Sequence, residues 1–278
     1  MLRQRVITGV ILALSFLAAV FFLHLEALAL IFGAVAAAGA WEWSGLSGIK
    51  TFPARVAFTL IYIIVLVKTW LVFSIGEAPA PDVFRPWLGI ACFFWSVVML
   101  MVESYPGTAK IWRSRVSRAV FGLFILATTW LATIFLLTLP GGTLLLVLLV
   151  LAVALADIGA YFSGRRWGRH KLAIRVSPGK TWEGFWGGVA SVLALTFLVA
   201  YILPKHMAHL SLVTLVLVGL AVAGASVLGD LTVSMVKRES GVKDSGTLLP
   251  GHGGLLDRID GLCAAAPVFA LGLLLAGY

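Results

Sequence analysis

Apolar residues in this chain come in long unbroken blocks, with polar residues confined to the short segments between them. About 20 consecutive apolar residues suffice to cross a bilayer as a helix. On that measure the pattern predicts nine spans, at 6–25, 27–46, 56–76, 86–103, 118–139, 143–163, 184–203, 210–236 and 259–277. Membrane β-strands would give short alternating segments instead, and that pattern is missing. The second block is interrupted by Glu42. The first follows Arg3 and Arg5 as in a signal peptide. No small-residue cleavage site with a polar sequence after it follows, so the block reads as a retained first helix.

Composition agrees with this picture. Of 278 residues, 61% are hydrophobic and 12% charged, with a mean hydropathy of +1.04. Soluble domains carry roughly twice that share of charge. The expected fold class is all-α, a polytopic integral membrane protein of about nine transmembrane helices. Cys92 and Cys263 both lie inside apolar blocks, which offers neither a disulfide framework nor metal-type spacing.

The formal net charge is nevertheless +9. Alternate inter-span segments hold 18 of the 21 Lys and Arg residues. The opposite segments hold only Arg85 and Lys205, and Lys68 lies within a span. Cytosolic loops carry such an excess, so the N-terminus is expected inside and the C-terminus outside. The basic excess is thus first a signal of topology, and no nucleic-acid partner is expected. Trp41, Trp43, Trp182 and Trp186 lie near span ends and read as interfacial anchors.

The two halves of the chain differ. Residues 1–140 form an N-terminal group of spans with scattered charges. Residues 141–278 form the expected catalytic region, with cytosolic loops at 164–183 and 237–258. Seven of the twelve acidic residues fall in or beside these loops: Asp157, Glu183, Asp230, Glu239, Asp244, Asp257 and Asp260. Carboxylates at the ends of apolar helices usually face a polar cavity or a partner. Asp230, Ser234 and Lys237 share one helix face, as do Asp157, Tyr161 and Gly164, and Asp257, Asp260 and Gly261. Carboxylates from different helices could therefore meet at the cytosolic rim. Carboxylate and phosphate oxygens are ligands of Mg²⁺, and the neighbouring cations suit a polyphosphate.

Two glycine-bearing stretches extend the idea. Pro250-Gly251-His252-Gly253-Gly254 reads as a turn opening the last helix, where free N–H groups can meet an anion. Ser177-Pro178-Gly179-Lys180-Thr181 reads as a turn leading into a helix, with an ammonium and two hydroxyls. It lacks the spacing of a nucleotide P-loop. His252 is left between general base, phosphate ligand and a hydrogen bond within the turn. From these residues alone, a transporter of an anionic solute stays open beside a membrane phosphoryl- or nucleotidyltransferase.

The run Ser234-x-x-Lys237-Arg238-x4-Lys243-Asp244-x-Gly246, with Pro250-Gly251-His252-Gly253-Gly254 and Leu256-Asp257-Arg258-Ile259-Asp260, resembles the C-terminal motif of the phosphatidate cytidylyltransferases, or CDP-diacylglycerol synthases. Asp157, Tyr161, Gly164 and Ser177-Pro178-x-Lys180-Thr181-x-Glu183-Gly184 are similar to the same family. The resemblance covers the C-terminal half; the first half matches only in being several spans. It implies that CTP and phosphatidate give CDP-diacylglycerol and pyrophosphate. It also implies Mg²⁺, one ion or two, an inner-membrane location and a homodimer. On this basis Asp230, Asp257 and Asp260 are expected to hold the metal, with Lys237 and Ser234 also catalytic. Lys180, Ser177, Thr181, Arg238, Lys243, His252, Gly253, Gly254 and Arg258 are expected to bind substrate, and Asp157 and Tyr161 to line the cavity.

Overall fold

The structure is a computed structural model. It describes residues 2–73, 75, 81–202, 210–249 and 253–278, with side chains from 7 onward apart from that of 81. The helices are α1 (Leu2–Phe22), α2 (Leu25–Leu46), α3 (Phe52–Val72), α4 (Arg85–Glu103), the short α5 (Ala109–Trp112), α6 (Arg115–Thr138), α7 (Gly142–Trp167), α8 (Trp182–Ile202), α9 (Leu212–Glu239) and α10 (Leu256–Leu275). Among the described residues, α2, α3, α4 and α6 through α10 are long and apolar enough to cross a membrane. α1 adds a shorter apolar stretch, Ile7–Phe22. The chain is a polytopic helical membrane protein, and its helices lie close to the blocks read from the hydrophobic pattern.

Local signals set several helix starts. Ser114 and Ser211 cap α6 and α9, accepting the Ser117 and Thr214 N–H groups at 3.0 Å each. Pro53 sits in the first turn of α3, where its missing N–H costs nothing. The short connection into α7 turns at Gly141, with φ +69°, a backbone conformation that other residues rarely adopt.

The segment 177–181 departs from the expected turn. Lys171–Ala173 (β1) and Ser177–Thr181 (β2) pair as an antiparallel hairpin, with Ala173 opposite Ser177 and Lys171 opposite Thr181. The turn itself is at Ile174–Val176, and β2 runs straight into α8. Pro178 sits in a two-stranded hairpin, whose open edges tolerate a missing N–H.

Small residues let the C-terminal helices approach closely, as packing between membrane helices requires. A Cβ at Gly188 would lie 2.7 Å from the Ala156 carbonyl, and one at Gly184 would lie 2.9 Å from the Ala160 carbonyl. These contacts seat α8 on α7. A Cβ at Gly229 of α9 would collide with the Asp260 carbonyl of α10, so these two helices cross at backbone contact beside the two carboxylates.

α10 contains Pro267, which leaves the Cys263 carbonyl without its usual helical donor. Thr129 of α6 supplies one, its Oγ1 donating to that carbonyl at 3.1 Å. In apolar surroundings such a replacement is needed. Trp43 is no interfacial anchor. It is fully buried at 0% exposure, its ring fills the space left by Gly122, and its Nε1 donates to the Arg118 carbonyl at 2.8 Å. Trp182 and Trp186 are exposed, as expected, and Trp41 stacks under the Arg55 guanidinium at 4.1 Å.

The crossing at Gly229 yields a stability prediction. Gly229→Ala is expected to lower stability by about 1–3 kcal/mol through overpacking. Gly224→Ala, on the same helix with open space at its Cβ, should be neutral or stabilising by up to about 1 kcal/mol. Thermal unfolding in detergent, followed by circular dichroism, separates the two.

Candidate active site

The ends of α7, α9 and α10 and the hairpin strand β2 bring the charged residues together. Lys180 of β2 reaches Asp230 of α9, with Nζ 2.7 Å from Oδ2. The other oxygen of Asp230 accepts from Ser234 Oγ at 3.1 Å, one helical turn on. Lys237 of α9 bridges to Asp257 of α10, Nζ to Oδ1, at 2.6 Å. Both pairs are partly shielded, the second more so. Asp260 interacts electrostatically with Asp230, Lys237 and Lys180. Asp157 does so with Lys180, Asp230 and Arg258. The expected meeting of carboxylates from separate helices at one end of the bundle is therefore present.

Asp230 and Asp257 have different partners. Asp257 has both oxygens engaged: Oδ1 by Lys237, and Oδ2 by the N–H groups of Ser245 at 3.0 Å and Gly254 at 3.3 Å. It ties the loop after α9 to the start of α10. Asp260 meets only the adjacent Gly261 N–H, at 2.8 Å, among the hydrogen bonds in the described residues.

The N–H groups that follow the glycine turn meet an anion, and the anion belongs to the chain. Glu42 of α2 is 2% exposed. Its carboxylate accepts the Leu255 N–H at 3.1 Å, the Leu256 N–H at 2.8 Å and the Ser245 hydroxyl at 3.0 Å. It thereby caps the N-terminus of α10, where anions are favoured. Gly254 has no room for a side chain, because a Cβ would lie 2.7 Å from Glu42 Oε2, and Gly246 is blocked by the same carboxylate. Gly253 takes φ +83° in this turn, and its carbonyl accepts the Leu249 N–H at 3.0 Å. The C-terminal end of α2 is braced further by the Leu46 carbonyl, which accepts from Arg118 at 2.8 Å and Ser240 Oγ at 2.6 Å. Along the sequence Glu42 shows only as an interruption in an apolar block. A carboxylate there with no cation nearby in sequence is the one signal of its role.

The remaining candidates divide. Thr181 is buried, and its Oγ1 accepts the Gly184 N–H at 3.1 Å, so it caps α8 rather than facing the charged cluster. Ser177 is half-buried in the hairpin. Arg238 Nε donates to the Val176 carbonyl at 3.2 Å, fastening the hairpin turn to α9. Tyr161 is exposed, and its Oη accepts from Arg165 at 2.9 Å. Arg258 and Lys243 are exposed, Lys243 in the loop after α9. His252 lies outside the described residues, with Pro250 and Gly251.

A hard divalent cation suits part of this set. Asp230 and Asp260 lie within electrostatic reach of each other, and a cation beside two carboxyl groups favours their charged forms. Among the described residues, no group of three or more His, Cys, Asp or Glu is placed to hold a metal ion. Mg²⁺ is commonly bound by one or two carboxylates together with substrate phosphates, and Asp230 with Asp260 matches that donor set.

A model described as the cytidylyltransferase family matches residues 3–276. The chain belongs to this family. It is accordingly a nucleotidyltransferase, and the likeness extends over the first half as well as the second. A protein of Pseudomonas aeruginosa named phosphatidate cytidylyltransferase is 42% identical over 279 residues, covering 100% of this chain and 99% of its own. One of the same name from Haemophilus influenzae is 39% identical, covering 97% and 98%. A third, from Brucella suis, is 46% identical over 132 residues, about half of each chain.

Glu42 gives the site its own prediction. Glu42→Gln keeps the shape but removes the charge that holds three donors, each charge-assisted bond contributing about 1.5–3 kcal/mol. The loop between α9 and α10 should loosen while the bundle stays folded. Limited proteolysis should then cut within 241–249 at least about tenfold faster than in the parent. Unchanged cleavage would show that the carboxylate does not hold the loop.

Proposed function

We propose that this cytidylyltransferase uses phosphatidate as the acceptor, forming CDP-diacylglycerol and pyrophosphate. The observation that carries the reading is the pair of lysine–carboxylate bridges, Lys180–Asp230 and Lys237–Asp257, at one end of an apolar helical bundle. Cations and carboxylates for a nucleotide's phosphates thus sit where a lipid phosphate also lies. The names of the full-length relatives agree with this acceptor.

The bond that forms joins a phosphatidate oxygen to the α-phosphorus of CTP. The bond that breaks joins that phosphorus to the bridging oxygen, and pyrophosphate leaves with the electron pair. A phosphomonoester is already anionic near neutral pH, so no strong general base is needed. The difficulty is bringing an anion up to a polyanion, and positioned cations meet it. Lys180 and Lys237 pair with Asp230 and Asp257, which holds both ammonium groups where phosphate oxygens can also accept from them. Arg258, Arg238 and Lys243 add positive charge around them. Asp230 and Asp260, with Asp157 nearby, would hold Mg²⁺, and the ion would supply charge neutralisation on the phosphates. Asp257 acts by fixing Lys237 and the loop at Ser245.

In this reading the site faces the cytosol of a bacterial inner membrane, as the segregation of 18 basic residues supports. The homodimer implied by the family resemblance belongs to the same proposal, with cross-linking in native membranes as its check.

The deciding experiment supplies purified protein in detergent with labelled CTP, Mg²⁺ and phosphatidate, and follows label into the organic phase. Organic-soluble label that depends on phosphatidate supports the proposal; its absence with active, folded protein overturns the acceptor. Chelation by EDTA should abolish turnover, and added Mg²⁺ should restore it. Asp230→Asn should lower kcat by about 100-fold or more. Lys180→Ala should also lower turnover, and the double variant should fall little below Asp230→Asn alone, since partners acting as a unit are non-additive. Full additivity would mean that the bridge has no role in the reaction.

A further inference from the structure

A groove of 950 Å³ opens between α4, α8, α9 and α10, with the hairpin turn in its wall. That volume lies at the upper end of the roughly 300–1,000 Å³ usual for ligand pockets. We infer that it receives an acyl chain of the lipid substrate. The inference rests on the phosphatidate reading above and adds where the chain lies.

Three features favour a lipid chain. The first is continuity with the site. The hairpin turn Ile174–Val176 forms part of the groove wall, while Lys180 in the same hairpin binds Asp230. Arg238 clamps the Val176 carbonyl, so one small element belongs to both the charged cluster and the groove wall. A lipid with its phosphate near Lys180 would pass its tail beneath that turn. Arg175 and Glu103 are the charged residues of its lining.

The second feature is depth. On α4 the lining runs from Glu103 down to Cys92, eleven residues or about 16 Å at 1.5 Å per residue. One leaflet of a hydrocarbon core ~30 Å thick is about 15 Å. The groove therefore has at least the reach of a chain from the leaflet on the site's own side.

The third is room: Gly224 of α9 lines the groove and has open space where a Cβ would sit. Small residues on a membrane helix usually admit another helix, so a second copy of the chain is the competing occupant.

The test measures kcat/KM for dioleoyl and dihexanoyl phosphatidate with Gly224→Leu, which places bulk in the groove without a backbone clash. Gly89→Leu on α4, also with open space at its Cβ and away from the groove, is the control. The dioleoyl-to-dihexanoyl ratio should fall at least tenfold in Gly224→Leu and stay within twofold in Gly89→Leu. The rise in unfolding temperature that dioleoyl phosphatidate gives the parent in detergent should shrink in Gly224→Leu alone, a binding readout independent of turnover. An unchanged ratio and an unchanged temperature shift would overturn the inference. So would a changed oligomeric mass in Gly224→Leu without chain-length dependence, which would assign the groove to a second copy. If the parent binds dioleoyl phosphatidate but transfers no label to it, the reaction reading fails and the groove stands.

Discussion

A helix that begins inside protein, away from water, brings N–H groups that need acceptors from elsewhere in the chain. At the start of α10 those acceptors are carboxylates. Glu42 takes the Leu255 and Leu256 N–H groups, and Asp257 takes that of Gly254. The same two carboxylates hold Ser245 through its hydroxyl and its backbone. Remove them, and the loop has no reason to lie against the bundle, α10 loses its cap, and Lys237 loses its partner. The arrangement of the charged residues is thus an outcome of how one helix end is satisfied.

This places the N-terminal spans inside the account of the site. α2 carries Glu42 to the loop and, through the Leu46 carbonyl, also grips Ser240 at the end of α9. α4 forms one wall of the groove beside the hairpin. A chain reduced to its charged C-terminal half would keep the ionisable residues but lose the groups that fix them. The family match across residues 3–276 fits that dependence.

Much of this arrangement is legible in the amino-acid sequence. Long apolar blocks locate the helices because a bilayer leaves little choice of secondary structure. Asp157 and Asp230 stand out because carboxylates are costly at apolar helix ends. Less can be read where the decisive contact joins distant residues. Glu42 and Leu256 are 214 positions apart, and no periodicity links them. The hairpin is hidden because Ser-Pro-Gly has turn composition, although here it is the strand and the turn precedes it. Thr181 offers a hydroxyl beside Lys180, but its neighbour in space is the N-terminus of α8. The pairing of Asp257 with Lys237 is hidden for a similar reason: spacing gives the helix face, and only the fold says which charge on the next helix it meets.

The contact of Gly229 with the Asp260 carbonyl has a mechanical consequence. α9 and α10 touch there through backbone, beside the carboxylates they carry. Two rods in such contact cannot slide along each other without first separating, so the spacing of the Asp230 and Asp260 backbones is set by the main chain, and only side-chain torsions are left to adjust their carboxyl groups.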